Sequence, residues 1–274
     1  MIELLRANAT TRLADRDPNA TPGFDGDKAA GQEALAAGVD HLSALQERLF
    51  AASTAGERRR VLLVLQGMDS AGKGGIVRHV VGSVDPQGVH LATFKRPTAE
   101  ELSHHFLWRI ERELPPVGRI GVFDRSHYED VLIGRVRQLA PADEIEQRYA
   151  DIVEFERRLV RTGITVVKVM LHISRDEQQT RLAERLDRPD KHWKYNPGDV
   201  DERMLWPDYQ AAYETAIQRT SIDEAPWYIV PANRKWFARL AVQSLLTDAL
   251  ERIDPQWPAA TYDVEAEKAR LAQS

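Results

Sequence analysis

The amino-acid sequence predicts an α/β fold in which a five-stranded parallel sheet is flanked by helices. Two observations lead to this prediction. Short apolar runs of strand length alternate with segments whose apolar residues recur every three or four positions, which is the order of a parallel sheet covered on both faces. A glycine-rich loop at residues 67–75 also follows the first apolar run directly, and this order is typical of phosphate-binding folds.

The predicted elements follow one another along the chain. Residues 7–30 are rich in Asp, Ala, Thr, Gly and Pro, so we predict an irregular extension over residues 1–30. One amphipathic helix is predicted over residues 32–53. The strands are predicted near residues 61–66, 89–94, 119–124, 164–173 and 226–231. The remaining helices are predicted near residues 73–82, 98–113, 127–138, 142–162, 174–188, 200–219 and 234–253.

No linker-like break or internal repeat divides residues 55–255. We therefore predict a single domain over residues 31–258, followed by a tail over residues 259–274. Within this domain, residues 174–200 join an arginine-bearing helix to a polar loop that contains two prolines and a glycine. This combination predicts a helical, arginine-rich lid.

Composition limits the classes of function. The 274 residues carry 37 Lys and Arg against 42 Asp and Glu, and the net charge of −5 argues against a protein that coats nucleic acid or an anionic membrane. No apolar run approaches the length of a membrane span. The absence of cysteine excludes disulfides and zinc–thiolate sites. It also permits a reducing cytoplasm, which is the compartment that we predict.

The loop after the first strand has the spacing G-x-x-x-x-G-K, with Gly67, Gly72 and Lys73 at the defining positions. The glycines let the backbone curl its N–H groups around an anion, and the lysine ammonium neutralises charge. Gly74 stands where a hydroxyl normally holds Mg²⁺, whereas Asp69 adds a carboxylate to the loop. The residues predicted to cradle phosphate are Gly67, Met68, Ser70, Ala71, Gly72 and Gly74.

Two aspartates predict a magnesium site, with Mn²⁺ as a substitute. Asp69 would repel a phosphate unless a cation lay between them, and Asp124 ends the third predicted strand, where phosphate-loop enzymes hold Mg²⁺ or its water shell. The structural alternatives are a surface turn for Asp69 and a helix cap for Asp124. Arg125, the neighbour of Asp124, is predicted to contact phosphate.

Further cations lie where ligands of open α/β sheets collect. Lys95 and Arg96 follow the second strand and suit an anionic substrate, with solvated surface charge as the alternative. Thr98 and Glu101, next along the chain, predict a helix-capping box instead of a ligand site.

The predicted lid helix carries Arg181, Arg185 and Arg188 at positions i, i+4 and i+7, so they share one face. Lys194 continues the positive charge into the polar loop. Beside a phosphate loop, such a face predicts a lid that closes over phosphates and excludes water. The alternative is an exposed face held by salt bridges.

Phosphates on Lys73 and the arginines, with Mg²⁺ near two aspartates, describe phosphoryl transfer by positioning and charge neutralisation. A phosphate acceptor is already anionic at neutral pH and needs no general base, so a nucleotide is a suitable acceptor. The guanine-reading sequence N-K-x-D is absent, which counts against a GTPase switch.

Several linked motifs resemble the polyphosphate kinase 2 family. They are GMDSAGKGG at 67–75, FKRPT at 94–98, FDRSHYED at 123–130 and K-x-W-K at 191–194. Segments that look similar too are TPGFDG at 21–26, WPDY at 206–209 and APWY at 225–228. The resemblance covers roughly residues 15–255.

The resemblance implies a thymidylate-kinase-like phosphate-loop kinase fold and Mg²⁺-dependent transfer of a terminal phosphoryl group between inorganic polyphosphate and ADP or AMP, in either direction. By position it assigns catalytic or metal roles to Asp69, Lys73, Asp124 and Arg125, and lid roles to Arg181, Arg185 and Arg188, of which we expect Arg185 to be catalytic. It also implies a phosphate contact for Lys95 and a homodimer or homotetramer. The version RSHYED at 125–130 is similar to the branch that accepts both mono- and diphosphates.

Two other functions remain open from the sequence. An ATP-dependent nucleoside monophosphate kinase would share the fold, the phosphate loop and the lid. A non-catalytic nucleotide-binding module is the second, although binding alone needs neither the two aspartates nor the lid arginines.

Overall fold

The structure, a computed structural model, describes all 274 residues and contains one sheet. Its five strands are all parallel and confirm the predicted α/β fold. The strands are β1 (Arg60–Gln66), β2 (Val89–Thr93), β3 (Ile120–Asp124), β4 (Ile164–His172) and β5 (Trp227–Pro231). They lie side by side in the order β2-β3-β1-β4-β5.

This strand order determines where a ligand can bind. After β1 the chain builds β2 and β3 on one side of this strand and then crosses to β4 and β5 on the other, so the sheet has its switch point at the carboxyl end of β1. Leu65 of β1 is paired with Asp124 of β3 and with Val169 of β4. The loop after β1 therefore lies between the carboxyl ends of both neighbouring strands.

Helices cover both faces of the sheet. They are α1 (Ile2–Leu5), α2 (Lys28–Ala37), α3 (Val39–Thr54), α4 (Lys73–His79), α5 (Ala99–Leu102), α6 (Trp108–Arg112), α7 (Ile133–Val136), α8 (Ala142–Arg161), α9 (Arg175–Asp187), α10 (Gly198–Met204), α11 (Trp206–Thr220), α12 (Lys235–Ile253) and α13 (Val264–Leu271). Short 3₁₀ turns occupy Leu13–Asp15, Val81–Ser83, Pro86–Gly88, His127–Asp130 and Pro189–Lys194.

Two apolar layers enclose the sheet. Leu63 of β1 faces the layer formed with α3 and α12, whereas Leu62 and Val64 face the layer formed with α8 and α11. Since both faces of β1 are buried, the strand reads in sequence as an unbroken apolar run. The core therefore holds the phosphate loop at the end of a rigid strand.

The predicted helix over residues 32–53 is two helices in the structure. The first, α2, begins earlier than predicted, with the Asp27 side chain accepting from the Ala30 N–H at its N-cap. The break falls at Gly38, where an added Cβ would lie 2.6 Å from Oε1 of Gln243 on α12. At this break the Leu35 carbonyl accepts from Gln243 Nε2 at 2.9 Å. This contact joins residues far apart in the chain, so the periodicity of the sequence could not reveal it.

Four other predicted helices are also divided. The helix over 73–82 becomes α4 and the 3₁₀ turn Val81–Ser83. The helix over 98–113 becomes α5 and α6, and the helix over 127–138 becomes a 3₁₀ turn and α7. The helix over 200–219 becomes α10 and α11, because Pro207 lies in the first turn of α11 and favours a new start there. Residues 189–194 of the predicted polar loop form a 3₁₀ turn, and α10 begins at Gly198.

The first 30 residues are mostly irregular but pack closely on the body. Leu5 and Leu13 are buried, and the Ala7 N–H donates to the Trp227 carbonyl at 2.8 Å. The segment departs from the prediction in containing α1 and the first residues of α2. Helix α13, in the tail, buries none of its residues. No helix in the structure is long and apolar enough to cross a membrane.

Candidate active site

The phosphate loop has the backbone conformation of an anion cradle. Gly67, Ser70 and Gly72 have φ values of 153°, 64° and 116°, and alternation of left-handed residues with ordinary ones turns successive N–H groups inward. An added Cβ at Gly67 would lie 2.8 Å from the Leu171 carbonyl, so glycine is required there. The Lys73 ammonium donates to the Gly67 carbonyl at 2.7 Å and so lies against the loop.

Asp69 and Arg125 are in direct contact beside this loop. Arg125 also has a left-handed backbone, with φ 66°, and its Nη2 donates to Asp69 Oδ1 at 3.0 Å. Burial lowers the pKa of this guanidinium, but the carboxylates of Glu129 and Asp69 outweigh burial and raise it. Arg125 therefore stays charged at the junction between β3 and the loop.

Asp69 and Asp124 line the same cavity and fit Mg²⁺ in one specific way. No group of three or more His, Cys, Asp and Glu side chains could enclose a metal ion here. Mg²⁺ needs no such cage, because it commonly takes one or two carboxylates, substrate phosphates and water. Gly74 leaves space on the cavity side, since an added Cβ there would meet no atom within 4 Å. The donor set fits an ion held jointly with a phosphate ligand.

A cavity of about 740 Å³ extends from the phosphate loop to the predicted lid. Its 27 lining residues include eleven Lys or Arg but only three Asp or Glu. The cations are Lys73, Arg78, Lys95, Arg125, Arg181, Arg185, Arg188, Lys191, Lys194, Lys235 and Arg239. The whole chain has a net charge of −5, so this concentration of positive charge is local and suits a polyanion.

Two lid arginines, Arg185 near the end of α9 and Arg188 just after it, bind partners within the lid. Arg185 donates through Nη1 to Asp199 Oδ2 and to the Lys194 carbonyl, both at 3.1 Å. Arg188 pairs with Asp190 at 2.9 Å and is largely exposed. Arg185 is half-buried. Both side chains nevertheless line the large cavity, as does Lys194.

Arg181 departs from its predicted role on the lid face. Its side chain is only 4% exposed, and its guanidinium donates to the carbonyls of Ser70, Ala71, Ala232 and Asn233. It therefore holds the back of the phosphate loop. Helical spacing places Arg181 and Arg185 on one face, but it does not reveal that the Arg181 guanidinium is already saturated by four backbone carbonyls and the Glu177 carboxylate.

The two cations after β2 lie in different surroundings. Lys95 lines the large cavity, whereas Arg96 is exposed and lies outside the cavity lining. The prediction of a ligand contact for Arg96 therefore has no support from its position. Thr98 and Glu101 form the predicted capping box, with bonds of 3.2 and 2.7 Å.

A second, smaller cavity of about 220 Å³ lies on the other side of Asp69 and Arg125. Tyr209, Tyr213 and Glu129 are among its lining residues, with Gly67 and Met68 of the loop. Burial raises the pKa of the Glu129 carboxyl, although Arg125 and Lys73 oppose this shift. Asp69 and Arg125 line both cavities, so the two spaces meet at these side chains.

Several residues of this region were not among the predicted site residues. Arg78, Lys235 and Arg239 extend the positive lining of the large cavity. Gln178 donates through Nε2 to the Asp69 carbonyl at 3.1 Å. Its spacing of three residues before Arg181 was the available signal, because both side chains then lie on the same side of α9.

A parallel sheet whose first strand ends in a phosphate loop, beside an arginine-lined cavity, is typical of phosphate-loop kinases. The sequence model of the polyphosphate kinase 2 (PPK2) family matches residues 25–258. The chain belongs to this family. The predicted family and its class of enzyme, a phosphotransferase, are therefore confirmed.

Individual relatives agree with this assignment. The chain is 47% identical over 242 residues to the AMP/ADP-polyphosphate phosphotransferase of Meiothermus ruber, covering 88% of this chain and 89% of that protein. It is 42% identical over 253 residues to the ADP-polyphosphate phosphotransferase of Rhodopseudomonas palustris, covering 88% and 86%. The crystal structure of polyphosphate kinase 2 from Arthrobacter aurescens TC1 matches with a TM-score of 0.97 at 57% identity, over 99% of this chain and 96% of that one.

Proposed function

We propose that the protein transfers the terminal phosphoryl group of inorganic polyphosphate to ADP or AMP, forming ATP or ADP, and catalyses the reverse reaction. The observation that carries this proposal is the meeting of the two cavities at Asp69 and Arg125. The larger cavity offers a long cationic surface for a chain of phosphates. The smaller one offers tyrosine rings and hydrogen-bonding groups for the nucleoside part of the acceptor. The names of the Meiothermus and Rhodopseudomonas relatives agree with these substrates.

In this proposal, the side chains of the site position phosphates and neutralise their charge. Lys73 and the loop N–H groups hold the terminal phosphate of the donor, while Arg125, at the junction, contacts the group in transfer. The lid cations Arg185 and Lys194 cover the donor chain and exclude water. The acceptor oxygen belongs to a phosphate that is already ionised at neutral pH, so no side chain has to remove a proton.

We also propose that Asp69 and Asp124 hold Mg²⁺ together with substrate phosphates, with Mn²⁺ as a substitute. When bound, the ion neutralises charge on the phosphate oxygens. Arg125 orients the Asp69 carboxylate through its 3.0 Å contact. The matching test removes divalent ions with excess chelator and restores them. We expect turnover to disappear and return, and turnover that persists in chelator would contradict the proposed metal dependence.

The experiment that tests the reaction combines the pure protein with Mg²⁺, ADP or AMP, and either long-chain polyphosphate or ATP as donor. The nucleotides formed are then measured. We expect ATP or ADP synthesis that depends on polyphosphate. Asp124→Asn is the matched variant of nearly equal volume, and we expect it to lower turnover by about 10²-fold. Turnover with ATP as donor and none with polyphosphate would favour a nucleoside monophosphate kinase instead.

The predicted homodimer or homotetramer and the cytoplasmic location stay predictions. Sedimentation of the pure protein would measure the oligomeric state directly. Turnover is then measured at several protein concentrations and compared with the oligomeric state at each. This comparison would show whether assembly is needed for activity, since an obligate oligomer loses activity on dilution.

A further inference from the structure

Every carbonyl oxygen of the phosphate loop, from residue 67 to residue 72, accepts a hydrogen bond. Donors within the loop and α4 satisfy half of these carbonyls: Lys73 Nζ to Gly67, the Ala71 N–H to Met68 and the Gly75 N–H to Gly72. Donors from α9 satisfy the other half: Gln178 Nε2 to Asp69, and Arg181 Nη1 to Ser70 and Ala71. The base of the lid helix therefore completes the hydrogen bonding of the loop.

Arg181 uses all five of its N–H donors in this role. Nη1 donates to the Ser70 and Ala71 carbonyls at 3.0 and 2.9 Å. Nη2 donates to the Ala232 and Asn233 carbonyls at 2.6 and 3.1 Å. Nε donates to Glu177 at 2.6 Å. A guanidinium has no further donors, so Arg181 in this arrangement cannot also bind a phosphate directly.

The direction of these bonds determines where the loop N–H groups point. In a trans peptide, the carbonyl of one residue and the N–H of the next point in opposite directions. The carbonyls of Asp69 and Ala71 point to α9, so the N–H groups of Ser70 and Gly72 point away from it. Neither N–H donates a backbone hydrogen bond, and both residues line the large cavity. These groups are therefore available to an anion.

The same contacts remove an electrostatic obstacle. A carbonyl oxygen that turned towards the cavity would repel a phosphate and would leave the N–H of the next residue facing the protein. Gln178 and Arg181 hold three successive carbonyls, of residues 69 to 71, on the protein side. Glu177 pairs with the Arg181 guanidinium, so the contribution of Arg181 is chiefly geometric.

We propose that Gln178 and Arg181 are positioning residues that orient the phosphate loop for the transfer reaction without touching the substrate. This inference rests on the proposed function in that the loop is taken to bind a phosphate of the donor. It distinguishes Arg181 from the other lid arginines, whose donors are bound to lid partners. It also means that the base of α9 moves together with the loop.

The test compares Arg181→Lys, Gln178→Met and the control Thr180→Ala with the wild-type protein. Thr180 is exposed on the same helix and lies outside the cavity lining. Binding of inorganic tripolyphosphate is measured by calorimetry with Mg²⁺ and no nucleotide, and thermal unfolding is measured in parallel. A lysine keeps the charge but offers three donors on a flexible stem, so it cannot reproduce the five bonds of the planar guanidinium.

We expect Arg181→Lys to weaken tripolyphosphate binding about tenfold or more and to lower kcat about 10²-fold, with the KM for the nucleotide within about twofold of wild type. Gln178→Met should weaken binding about fivefold, and Thr180→Ala should change nothing. A purely structural role predicts a lower melting temperature with unchanged affinity of the folded protein. That result in Arg181→Lys would overturn the inference. If Arg181→Lys does not fold, unchanged affinity of Gln178→Met for tripolyphosphate would overturn it.

The two proposals fail in different ways. Wild-type protein that binds tripolyphosphate but does not transfer phosphoryl groups from polyphosphate would remove the proposed function and leave the positioning inference intact, provided that the variants bind less well. Wild-type protein that binds no tripolyphosphate would overturn the positioning inference itself.

Discussion

The two ends of the lid use the same residue type, arginine, in opposite ways. The base of the helix, residues 178–182, is bonded to the phosphate loop through Gln178 and Arg181. The tip of the lid, residues 185–194, is bonded to itself and to α10, with Arg185 on Asp199 and Arg188 on Asp190. The base therefore belongs to the rigid cradle, whereas the tip has partners that a phosphate could replace.

This difference shows that the hydrogen-bond partners of an arginine, and not its position on the helix, determine its role in the site. Arg181 and Arg185 are four residues apart and share a face. Backbone carbonyls satisfy four of the five N–H donors of Arg181, and Glu177 satisfies the fifth. The bonds to Ser70 and Ala71 cannot be exchanged without opening the loop. A carboxylate holds Arg185 at a half-buried position, and an incoming polyanion competes with such a partner for the guanidinium.

We expect the largest loss of activity from Lys73→Ala, in the phosphate loop to which the base of α9 is bonded. The Lys73 ammonium lies against the loop carbonyl of Gly67 and supplies the compact charge of the cradle. We expect kcat with polyphosphate to fall about 10²- to 10³-fold, as for other losses of electrostatic stabilisation. Lys28→Ala, an exposed lysine outside the cavity lining, is the control. Near-wild-type rates for Lys73→Ala would remove this residue from the mechanism.

Leu182→Ala and Leu186→Ala compare the packing of base and tip directly. The two leucines lie one turn apart on α9, and their exposed fractions are 5% and 52%. We expect Leu182→Ala to lower the free energy of unfolding by about 3 kcal/mol, because it leaves a cavity, and Leu186→Ala to lower it by less than about 0.5 kcal/mol. Urea denaturation measures both values. Equal losses at the two positions would show that the tip is as firmly packed as the base.

Arg185→Ala tests the tip as a substrate contact. We expect kcat with polyphosphate to fall about 10²-fold. The free energy of unfolding should fall by only about 1 kcal/mol, because Asp199 loses one partner. The control is Arg157→Ala, an exposed arginine on α8 outside the cavity lining. A large loss of stability with unchanged kcat would instead make Arg185 a purely structural residue.

Arg188→Ala should have the smallest effect. Its pair with Asp190 is exposed on both sides, and such pairs contribute little to stability. We expect unfolding to be unchanged and the KM for polyphosphate to rise about threefold at low salt, with the difference shrinking as salt screens the charge. Salt-dependent kinetics measure this shift. A loss of kcat as large as that of Arg185→Ala would place Arg188 with the catalytic residues.

The part of the site that could be predicted depends on local sequence patterns. The unbroken apolar run of β1, the glycine spacing of the loop and the aspartate at the end of β3 each depend on neighbours in the chain. Packing explains what was missed. At the break near Gly38, the Leu35 carbonyl accepts from Gln243, which is distant in sequence. The Gln178 contact depends on how α9 lies against the loop.

The sequence by itself determined the parallel α/β sheet, the phosphate loop and the family, because these depend on periodicity and on short motifs with defined spacing. Only the tertiary structure decided which side chains meet. It placed Arg96 outside the cavity, turned Arg181 into the support of the loop and joined two cavities at Asp69 and Arg125. The physical reason is that a hydrogen bond depends on the position of both partners, and a helical repeat specifies only one of them.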